Sequence, residues 1–161
     1  VANNFRVLRY ADVLLWAAEC EIETGSLEAA QQYVDMVRER AATGSVVAFE
    51  DGSPAANYFV QTYADAVISF ATEGKAFAWE AVRFERRLEF ALEGHRFFDL
   101  VRWGIAAEVI NTYLTEEAVK RPHLSGATFQ AGKHEYFPIP QEQIDDSSID
   151  GQPTLTQNSG Y

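Results

Sequence analysis

The sequence predicts an all-α protein with an irregular, loop-rich C-terminal tail. Apolar residues recur at three- and four-residue steps in five stretches, which is the spacing of one helix face. Glycines follow several of these stretches and supply helix ends. Beyond Lys120, prolines and glycines punctuate the chain and argue against another long helix. With 161 residues, of which 47% are hydrophobic, the chain fits one compact domain or a large piece of a longer protein, without a second independent core.

The first two helices are predicted by their apolar faces and by the residues between them. The first spans Val7 to Thr24 and stops at Gly25. Ser26 is a suitable N-cap for the second, because its hydroxyl can accept a hydrogen bond from a backbone N–H of the first turn. The short break predicts an antiparallel helical hairpin. The expected inward residues are Val7, Ala11, Leu14, Leu15, Ala18 and Ile22 in the first helix, and Leu27, Ala30, Val34, Val37 and Ala41 in the second.

The start of the second helix is similar to a known repeat. Residues 25–33, with the sequence GSLEAAQQY, resemble the second helix of a tetratricopeptide unit, in which small alanines let neighbouring helices approach closely. No copy of the pattern recurs about 34 residues away, so a solenoid contained within this chain is not expected. The hairpin is suited to cap an array supplied by sequence outside this chain.

A long loop and two further helices are predicted next. Residues 42–57 are rich in Gly, Ser, Asp and Pro, which indicates a loop, and loops of this length often carry function. A third helix is expected from Tyr58 to Thr72, and a fourth from Lys75 to Leu92 with Gly94 beyond it. The expected inward residues are Phe59, Tyr63, Ala66, Val67 and Phe70 in the third helix, and Phe77, Ala81, Phe84, Leu88 and either Ala91 or Leu92 in the fourth.

The last helical segments are shorter. An amphipathic stretch from Ile105 to Leu114 predicts another helix. In the tail, Pro140 is suited to open one short helical turn over residues 141–143, because proline fits the first position of a helix.

The charge of the chain excludes two classes of partner. Thirteen Lys and Arg residues stand against 24 Asp and Glu, which gives a net charge of −11. A field of this sign repels phosphate backbones and anionic lipid headgroups, so neither nucleic-acid binding nor electrostatic membrane docking is expected. No apolar run reaches the roughly 18 to 20 residues that span a bilayer. Residues Val1 to Asn4 hold neither an initiator Met nor a signal pattern, so we expect upstream sequence, with any targeting segment, to be missing.

The sequence predicts no catalytic residue, no metal site and no cofactor. Serines do not occur in a G-x-S-x-G elbow, and Cys20 lies inside a predicted helix without an assigned histidine partner. His95, His123 and His134 lack the spacing of metal ligands. Residues 145–151 lack the closing Glu of a calcium loop, so a solvated turn is the better interpretation. A carboxylate pair for glycoside cleavage stays open as a weak alternative, since 24 acids mostly serve solvation.

The densest feature of the sequence is an alternation of charges and large aromatics over residues 83–104. If Phe84 and Leu88 face the core, carboxylates and arginines lie beside them at helical steps of three and four. Two interpretations are open: a clamp for an anionic ligand, or an ion-pair network that locks the helix to its neighbours. We favour the network, because the acids of this stretch equal or outnumber the arginines that would be needed to hold a free anion. Its signature residues are Arg86, Arg87, Glu89, Glu93, Arg96, Asp99, Arg102 and Trp103.

Aromatic residues offer the other candidate chemistry, because their faces stack on sugar rings. Tyr58 and Tyr63, beside the long loop, are the candidate exposed platforms for a ligand. Most other large aromatics fall at helical spacing, which favours burial in the core. These are Trp16, Phe77, Trp79, Phe97, Phe98 and Trp103.

Three segments together resemble the C-terminal part of SusD/RagB proteins, in the order of that family and over nearly the whole chain. The first is residues 9–19, RYADVLLWAAE, and the second is residues 85–104, ERRLEFALEGHRFFDLVRWG. The third combines residues 136–145, YFPIPQEQID, with residues 155–161, LTQNSGY. Ser159 stands where the family commonly has proline, and residues 147–152 replace a shorter link.

The resemblance implies a surface lipoprotein of the outer membrane in Bacteroidetes, with residues 1–161 as its C-terminal region. Such proteins are built on tetratricopeptide-like helical repeats, capture oligosaccharides or peptides, and act as a lid on a SusC-like TonB-dependent transporter. No catalysis is implied. The lipid-bearing cysteine of the family lies upstream, and Cys20 is not that anchor.

No ligand-binding residue transfers by motif, because ligand contacts in this family come largely from variable loops and upstream sequence. We therefore expect non-catalytic nutrient capture. A tetratricopeptide-type scaffold that binds a protein partner is the first alternative, and a glycoside hydrolase is the second.

Overall fold

The computed structural model describes residues 7–161. Val1 to Asn4, on which the expectation of missing upstream sequence depends, lie outside this range. Within residues 7–161 the chain forms seven α-helices, one short 3-10 helix and no strand beyond two isolated antiparallel bridge pairs. The predicted all-α fold class is confirmed. From residue 7 onward, no helix is both long and apolar enough to cross a bilayer. The helices are α1 (Tyr10–Thr24), α2 (Leu27–Thr43), α3 (Phe70–Glu73), α4 (Lys75–Glu89), α5 (His95–Arg102), α6 (Ala106–Ala118), the 3-10 helix (Pro122–Leu124) and α7 (Gln141–Asp146).

The chain divides into two compact units. The first unit ends at Glu93, and the second runs from Gly94 to Tyr161. Gly94, the residue just before α5, has φ +84, a left-handed conformation that glycine adopts without a steric penalty. In the first unit, α1 packs against α2 and α4, and α3 packs against α2 and α4. In the second unit, α6 contacts α5 and the 3-10 helix.

The predicted hairpin of α1 and α2 is confirmed. Ser26 Oγ accepts a hydrogen bond from the Ala29 N–H at 3.0 Å, so the N-cap forms as predicted. Val7 was expected inward but is 76% exposed, because α1 begins only at Tyr10. Ala41, near the end of α2, is also exposed. Of the other residues expected to face inward, Leu27 is partly buried. The rest are buried: Ala11, Leu14, Leu15, Ala18, Ile22, Ala30, Val34 and Val37.

The predicted helix from residue 58 to residue 72 is wrong, because only α3 forms at its end. A single turn precedes α3 and stops where Val67 takes a left-handed conformation with φ +59. The Ile68 N–H donates to the Tyr63 carbonyl at 2.9 Å, and the Val67 N–H donates to the Ala64 carbonyl at 3.0 Å. This is the Schellman pattern that terminates helices. Of the expected inward residues, Phe70 is buried and Tyr63 partly buried, whereas Phe59, Ala66 and Val67 are exposed.

The fourth helix is shorter than predicted, and its predicted inward face is only partly correct: Ala81 is buried and Phe77 packs partly buried against the core. α4 ends at Glu89, and Leu92 is fully exposed with φ +65. The prediction that Phe84 and Leu88 face the core is wrong, because they are 53% and 52% exposed. The buried face instead carries two charged residues, which apolar spacing alone does not reveal. That face consists of Ala78, Ala81, Val82, Glu85 and Arg86.

The second unit has the predicted irregular character around its helices. The helix expected from Ile105 is confirmed as α6, which continues to Ala118. The short turn expected after Pro140 is confirmed as α7. Asn111 on α6 holds the irregular segment around Phe129 by two hydrogen bonds. Its side-chain amide donates to the Phe129 carbonyl at 3.0 Å and accepts from the Phe129 N–H at 2.7 Å.

The end of the chain runs beside residues 136–139 and is held there by side chains. Gln157 Oε1 accepts from the Ile139 N–H at 2.8 Å, and Gln157 Nε2 donates to the Ile139 carbonyl at 2.8 Å. Asn158 Nδ2 donates to the Phe137 carbonyl at 2.6 Å, and the Tyr161 hydroxyl donates to the Tyr136 carbonyl at 2.9 Å. The two halves of the third family-like segment are therefore brought together.

The link at residues 147–152, which departs from the family pattern, forms a tight hairpin. Ile149 and Gln152 exchange backbone hydrogen bonds at 2.9 and 3.0 Å. The two residues between them, Asp150 and Gly151, have φ values of +52 and +77, as a type I′ turn requires. Ser147 Oγ accepts from two backbone N–H groups further along, at residues 154 and 155, which fixes the exit of the link.

Candidate functional site

Arg86 lies at the centre of the charged network of the first unit. It is 2% exposed, and its Nη2 lies 3.4 Å from Oδ1 of Asp12, which is fully buried on α1. Its Nε lies 3.9 Å from Oε1 of Glu19, also on α1. Its guanidinium carbon lies 4.8 Å from the ring centroid of Phe90. Arg87, the next residue, is exposed. The buried arginine thus joins α4 to carboxylates of α1 in an apolar setting.

Arg9 forms a second part of the network, just before α1. Its Nε donates to Glu93 at 2.9 Å, and its Nη2 donates to the Glu89 carbonyl oxygen at 2.6 Å. Its Nη1 also contacts the Glu89 carboxylate. The hydrogen bond to Glu93 is the largest influence on Arg9 and raises the pKa of its guanidinium. Arg40 of α2 reaches both Glu89 oxygens at 2.7 Å, so one carboxylate joins three parts of the chain.

A third pair connects α2 with α4. Arg38 Nη1 donates to Glu85 Oε2 at 2.8 Å. Burial raises the pKa of the Glu85 carboxyl, and the hydrogen bond from Arg38 opposes this shift. Arg38 also donates from Nε to the Gln61 carbonyl at 2.6 Å and lies 4.9 Å from the Tyr63 ring centroid.

In the second unit, the remaining signature residues form a group of their own. Arg102 Nε donates to Asp99 Oδ1 at 2.8 Å, and its guanidinium lies 4.8 Å from the Trp103 ring centroid. The Arg96 guanidinium lies 6.0 Å from the same centroid. Asp99 is 4% exposed, so its carboxylate needs such partners.

Sequence reasoning identified Arg86, Glu89 and Glu93 of the network and missed most of their partners. A usable signal was present on α1, where Asp12 and Glu19 fall in line with the apolar stripe at helical steps. An acid inside an apolar stripe indicates a buried carboxylate that requires a cation. The partners that were missed are Arg9, Asp12, Glu19, Arg38, Arg40 and Glu85.

The two candidate platforms, Tyr58 and Tyr63, have different surroundings. Tyr58 is 46% exposed. Tyr63 packs edge-on against Phe70 and Phe77, with ring centroids 5.0 and 6.1 Å away, and the guanidinium of Arg38 also lies over its ring. Burial raises the pKa of the Tyr63 hydroxyl. Tyr58 is therefore the better candidate for stacking on a ligand.

Two of the aromatics expected in the core are exposed instead. Trp16 is 41% exposed because it lies off the buried face of α1, and Phe98 is 69% exposed beside the buried Asp99 and Leu100 of α5. The other four of that set are partly buried: Phe77, Trp79, Phe97 and Trp103.

Between α2 and α3, most of the exposed apolar side chains lie within residues 44–60. We call residues 44–60 the exposed loop. Their first part is ordered by backbone hydrogen bonds: the Phe49 N–H donates to the Ser53 carbonyl at 2.8 Å, and the Ala55 N–H donates to the Val47 carbonyl at 2.9 Å. Asp51 Oδ1 accepts from the Ser53 N–H and hydroxyl at 2.9 and 2.6 Å, which lowers the pKa of Asp51. Six apolar or aromatic side chains of the loop are 37% to 74% exposed: Val46, Val47, Phe49, Tyr58, Phe59 and Val60.

A row of polar side chains on α2 fixes the backbone that follows the exposed loop. We call Gln31, Asp35 and Arg38 the polar stripe of α2, since they recur at helical steps of three and four. The Asp35 carboxylate accepts from the backbone N–H groups of residues 63 and 64 at 2.6 and 3.2 Å. Gln31 donates to the carbonyl of residue 68 at 3.0 Å and accepts from the N–H of residue 70 at 2.9 Å. Arg38, the third member of the stripe, donates a hydrogen bond to the carbonyl of Gln61.

A cavity of about 350 Å³ lies between the N-terminal part of α1 and the C-terminal part of α2. Its floor includes the buried Leu14 and Val37, and its rim includes Tyr10 and Met36, which are 67% and 46% exposed. The guanidinium groups of Arg9 and Arg40 at the rim are engaged by Glu89. The lining residues are Arg9, Tyr10, Ala11, Leu14, Met36, Val37 and Arg40.

The described residues contain no assembled metal site. Among residues 7–161, no three His, Cys, Asp or Glu side chains lie close enough together to hold a metal ion. Cys20 is exposed on α1.

The chain is similar both to a family model and to a curated protein. A family model described as the SusD family matches residues 2–161. A SusD-like protein of Formosa agariphila is 31% identical over 164 residues, which cover 99% of this chain and 25% of that protein. The chain therefore spans about a quarter of the length of the curated relative that it matches.

Proposed function

The chain belongs to the SusD family, whose members bind glycans for uptake, and from this premise we propose that it is the C-terminal region of a non-catalytic nutrient-capture protein. The observation that carries the proposal is the family match over residues 2–161. Under the proposal, residues 1–161 all belong to that region, in keeping with a relative about four times as long. The protein binds an oligosaccharide at the cell surface and passes it on without breaking a bond.

The charged network is the architecture of this region in our proposal. Its arginines support that role, because those at positions 9, 38, 40 and 86 each contact a carboxylate. An anionic ligand would have to displace those carboxylates at the cost of leaving them unpaired. The proposed structural residues are Arg86, Arg87, Glu89, Glu93, Arg96, Asp99, Arg102 and Trp103.

The proposed ligand is an oligosaccharide, with a peptide as the alternative within the same function. Aromatic side chains bind sugars by stacking, and hydrogen bonds to hydroxyls set their orientation. Tyr58 is the proposed platform residue, because its ring is 46% exposed. Tyr63, the second candidate, is proposed to support the segment after the loop.

The proposed partner is a SusC-like TonB-dependent transporter of the outer membrane, over which the protein acts as a lid. The protein is proposed to be held at the membrane surface by a lipid on a cysteine upstream of this chain. The net charge of −11 supports the exclusion of nucleic acid as a partner.

Binding of the full-length protein to a glycan array tests the proposed function. We expect saturable binding to at least one oligosaccharide and no release of reducing sugar from it on prolonged incubation. Release of reducing sugar would support the hydrolase alternative with two carboxylates. Binding to a peptide library in the absence of any glycan binding would support the peptide alternative.

The cavity between α1 and α2 favours a second candidate function, a tetratricopeptide-type scaffold. Its apolar floor at Leu14 and Val37 and its exposed Met36 suit an apolar side chain of a protein partner. The scaffold function predicts that the full-length protein binds no oligosaccharide of the glycan array. Saturable binding of any oligosaccharide would contradict it.

A further inference from the structure

We infer that His134 is a pH-sensitive latch: its neutral imidazole closes the turn of residues 129–135, and protonation of the imidazole releases that turn. We call residues 129–135 the latch turn. The inference concerns the second unit alone and does not depend on the proposed capture function. His134 Nδ1 accepts a hydrogen bond from the Gln130 N–H at 2.9 Å. The neutral ring therefore carries its proton on Nε2.

All four backbone polar groups at the start of the latch turn are hydrogen-bonded. Asn111 on α6 bonds both the N–H and the carbonyl of Phe129. The Gln130 carbonyl accepts from the N–H groups of residues 133 and 134 at 3.3 and 3.0 Å, and its N–H donates to His134. The asparagine amide does not titrate, whereas histidine ordinarily changes its charge between about pH 5 and 8. Among these four groups, the bond to the imidazole is therefore the one that responds to pH.

Aromatic contacts connect the latch turn to the neighbouring helix. The centroid of the His134 ring lies 5.5 Å from that of Phe129, with the ring planes at 78°. The Phe129 ring in turn lies 6.4 Å from the ring of Phe97 on α5. The closed turn is thus joined to α5 through the rings and to α6 through Asn111, so its release loosens a contact between the tail and both helices.

Protonation changes the chemistry of the Gln130 bond. It converts Nδ1 from an acceptor into a donor, so that two N–H groups face each other across the 2.9 Å contact. The closed turn therefore favours the neutral ring, whereas the released turn accepts the proton freely. By linkage, the latch is closed above the pH range in which histidine titrates and is lost as the pH falls through that range.

Negative charge near the imidazole would favour its protonated form and weaken this response. The charged and titratable residues nearest along the chain to the contact points are His95, Arg96 and Asp99 on α5, Glu108 on α6, and Lys133 and Glu135 in the latch turn. Asp99 is already bonded to Arg102. Glu135 directly follows His134, and its buried Oε2 has no hydrogen-bond partner within residues 7–161. Glu135 is therefore tested together with the histidine.

Hydrogen exchange of the full-length protein, read by mass spectrometry on a peptide that covers the latch turn, tests the inference. Protection is expressed relative to the intrinsic exchange rate at about pH 7.5 and at about pH 5.5. We expect it to fall about fivefold in the wild type on acidification, equivalent to about 1 kcal/mol, the net contribution of one hydrogen bond. His134→Asn keeps an acceptor bonded to Cγ, as Nδ1 is, and should give equal protection at both pH values. His134→Ala removes the acceptor and should give the lower protection at both.

Two controls locate the response. His123→Asn removes an exposed histidine of the 3-10 helix and should keep the wild-type fall. Glu135→Gln should keep it as well, because the inference assigns the proton to the imidazole.

Four results would overturn the inference. Equal protection of the wild type at both pH values would mean that the imidazole does not control the turn. The wild-type fall in His134→Asn, or its loss in Glu135→Gln, would assign the response to another group. Wild-type protection in His134→Ala at about pH 7.5 would show that the bond to Gln130 does not close the turn. Higher protection in acid would mean that the imidazolium is the form that the closed turn prefers.

Discussion

Arg86 shows how a single residue can determine which face of a helix is buried. A guanidinium that is 2% exposed is tolerable because Asp12 and Glu19 on α1 supply negative charge, and Phe90 supplies a ring face. Removing the arginine alone would leave the fully buried Asp12 carboxylate without this partner. The loss lowers the free energy of unfolding by more than an exposed ion pair contributes to it.

We therefore expect Arg86→Ala to lower the free energy of unfolding by about 3 to 5 kcal/mol, measured by urea denaturation. Arg87→Ala is the matched control, because it removes an exposed arginine from the same turn of α4 and should change stability by less than about 0.5 kcal/mol. The double variant Arg86→Ala with Asp12→Ala should lose less than the sum of the two single variants. Equal losses for Arg86→Ala and Arg87→Ala would contradict the structural role.

At this scale the sequence predicts local interactions well and remote ones poorly. The cap at Ser26 is confirmed because it needs only the three residues that follow it. The partners of Arg86 are separated from it by 67 and 74 positions, so no spacing within α4 reveals them. The prediction that Phe84 and Leu88 are buried is wrong for the same reason: the apolar pattern does not show which charges a neighbouring helix can neutralise.

Among the elements, the segment before α3 shows why a helical pattern failed to give a helix. Five backbone groups of this segment are bonded to the polar stripe of α2 and not within a helix: the carbonyls of residues 61 and 68 and the N–H groups of residues 63, 64 and 70. Val67 then ends the single turn with a left-handed φ, which costs a residue other than glycine about 1 to 2 kcal/mol. Side chains from another helix therefore outweighed local helical preference, and such competition is invisible to a periodicity count.

The polar stripe leads to a prediction about Asp35. Replacing it with alanine leaves two backbone N–H groups without their acceptor, so we expect a loss of about 1 to 3 kcal/mol. Hydrogen exchange should quicken at residues 62–70 and stay unchanged in α1. Glu39→Ala, an exposed acid on the same helix, is the control and should leave exchange at wild-type rates. Unchanged protection in the Asp35 variant would show that the carboxylate does not hold this segment.

For this chain taken as a whole, the excess of carboxylates sets the response to salt. A net charge of −11 produces self-repulsion in the compact state, and the buried ion pairs are screened less than the exposed acids. The Debye length falls from about 30 Å at 0.01 M salt to about 8 Å at 0.15 M. Added salt should therefore relieve repulsion more than it weakens the network around Arg86.

We expect Tm to rise by about 2 to 4 °C between 0.01 M and 0.15 M sodium chloride at pH 7, which corresponds to about 1 kcal/mol. The same series near pH 4.6, the isoelectric point of the sequence, is the control and should show little change. A Tm that falls with salt at pH 7 would mean that attraction between exposed charges outweighs repulsion.

The amide side chains of Gln31, Asn111 and Gln157 share a property with a practical consequence. Each bonds to main-chain atoms, at residues 68 and 70, 129 and 139 respectively. Main-chain atoms are the same for every amino acid except proline, so these brackets do not read the sequence that they hold. Ile68, Phe129 and Ile139 can accordingly be exchanged for other amino acids without loss of these hydrogen bonds, with proline excepted at Phe129 and Ile139, whose N–H groups donate.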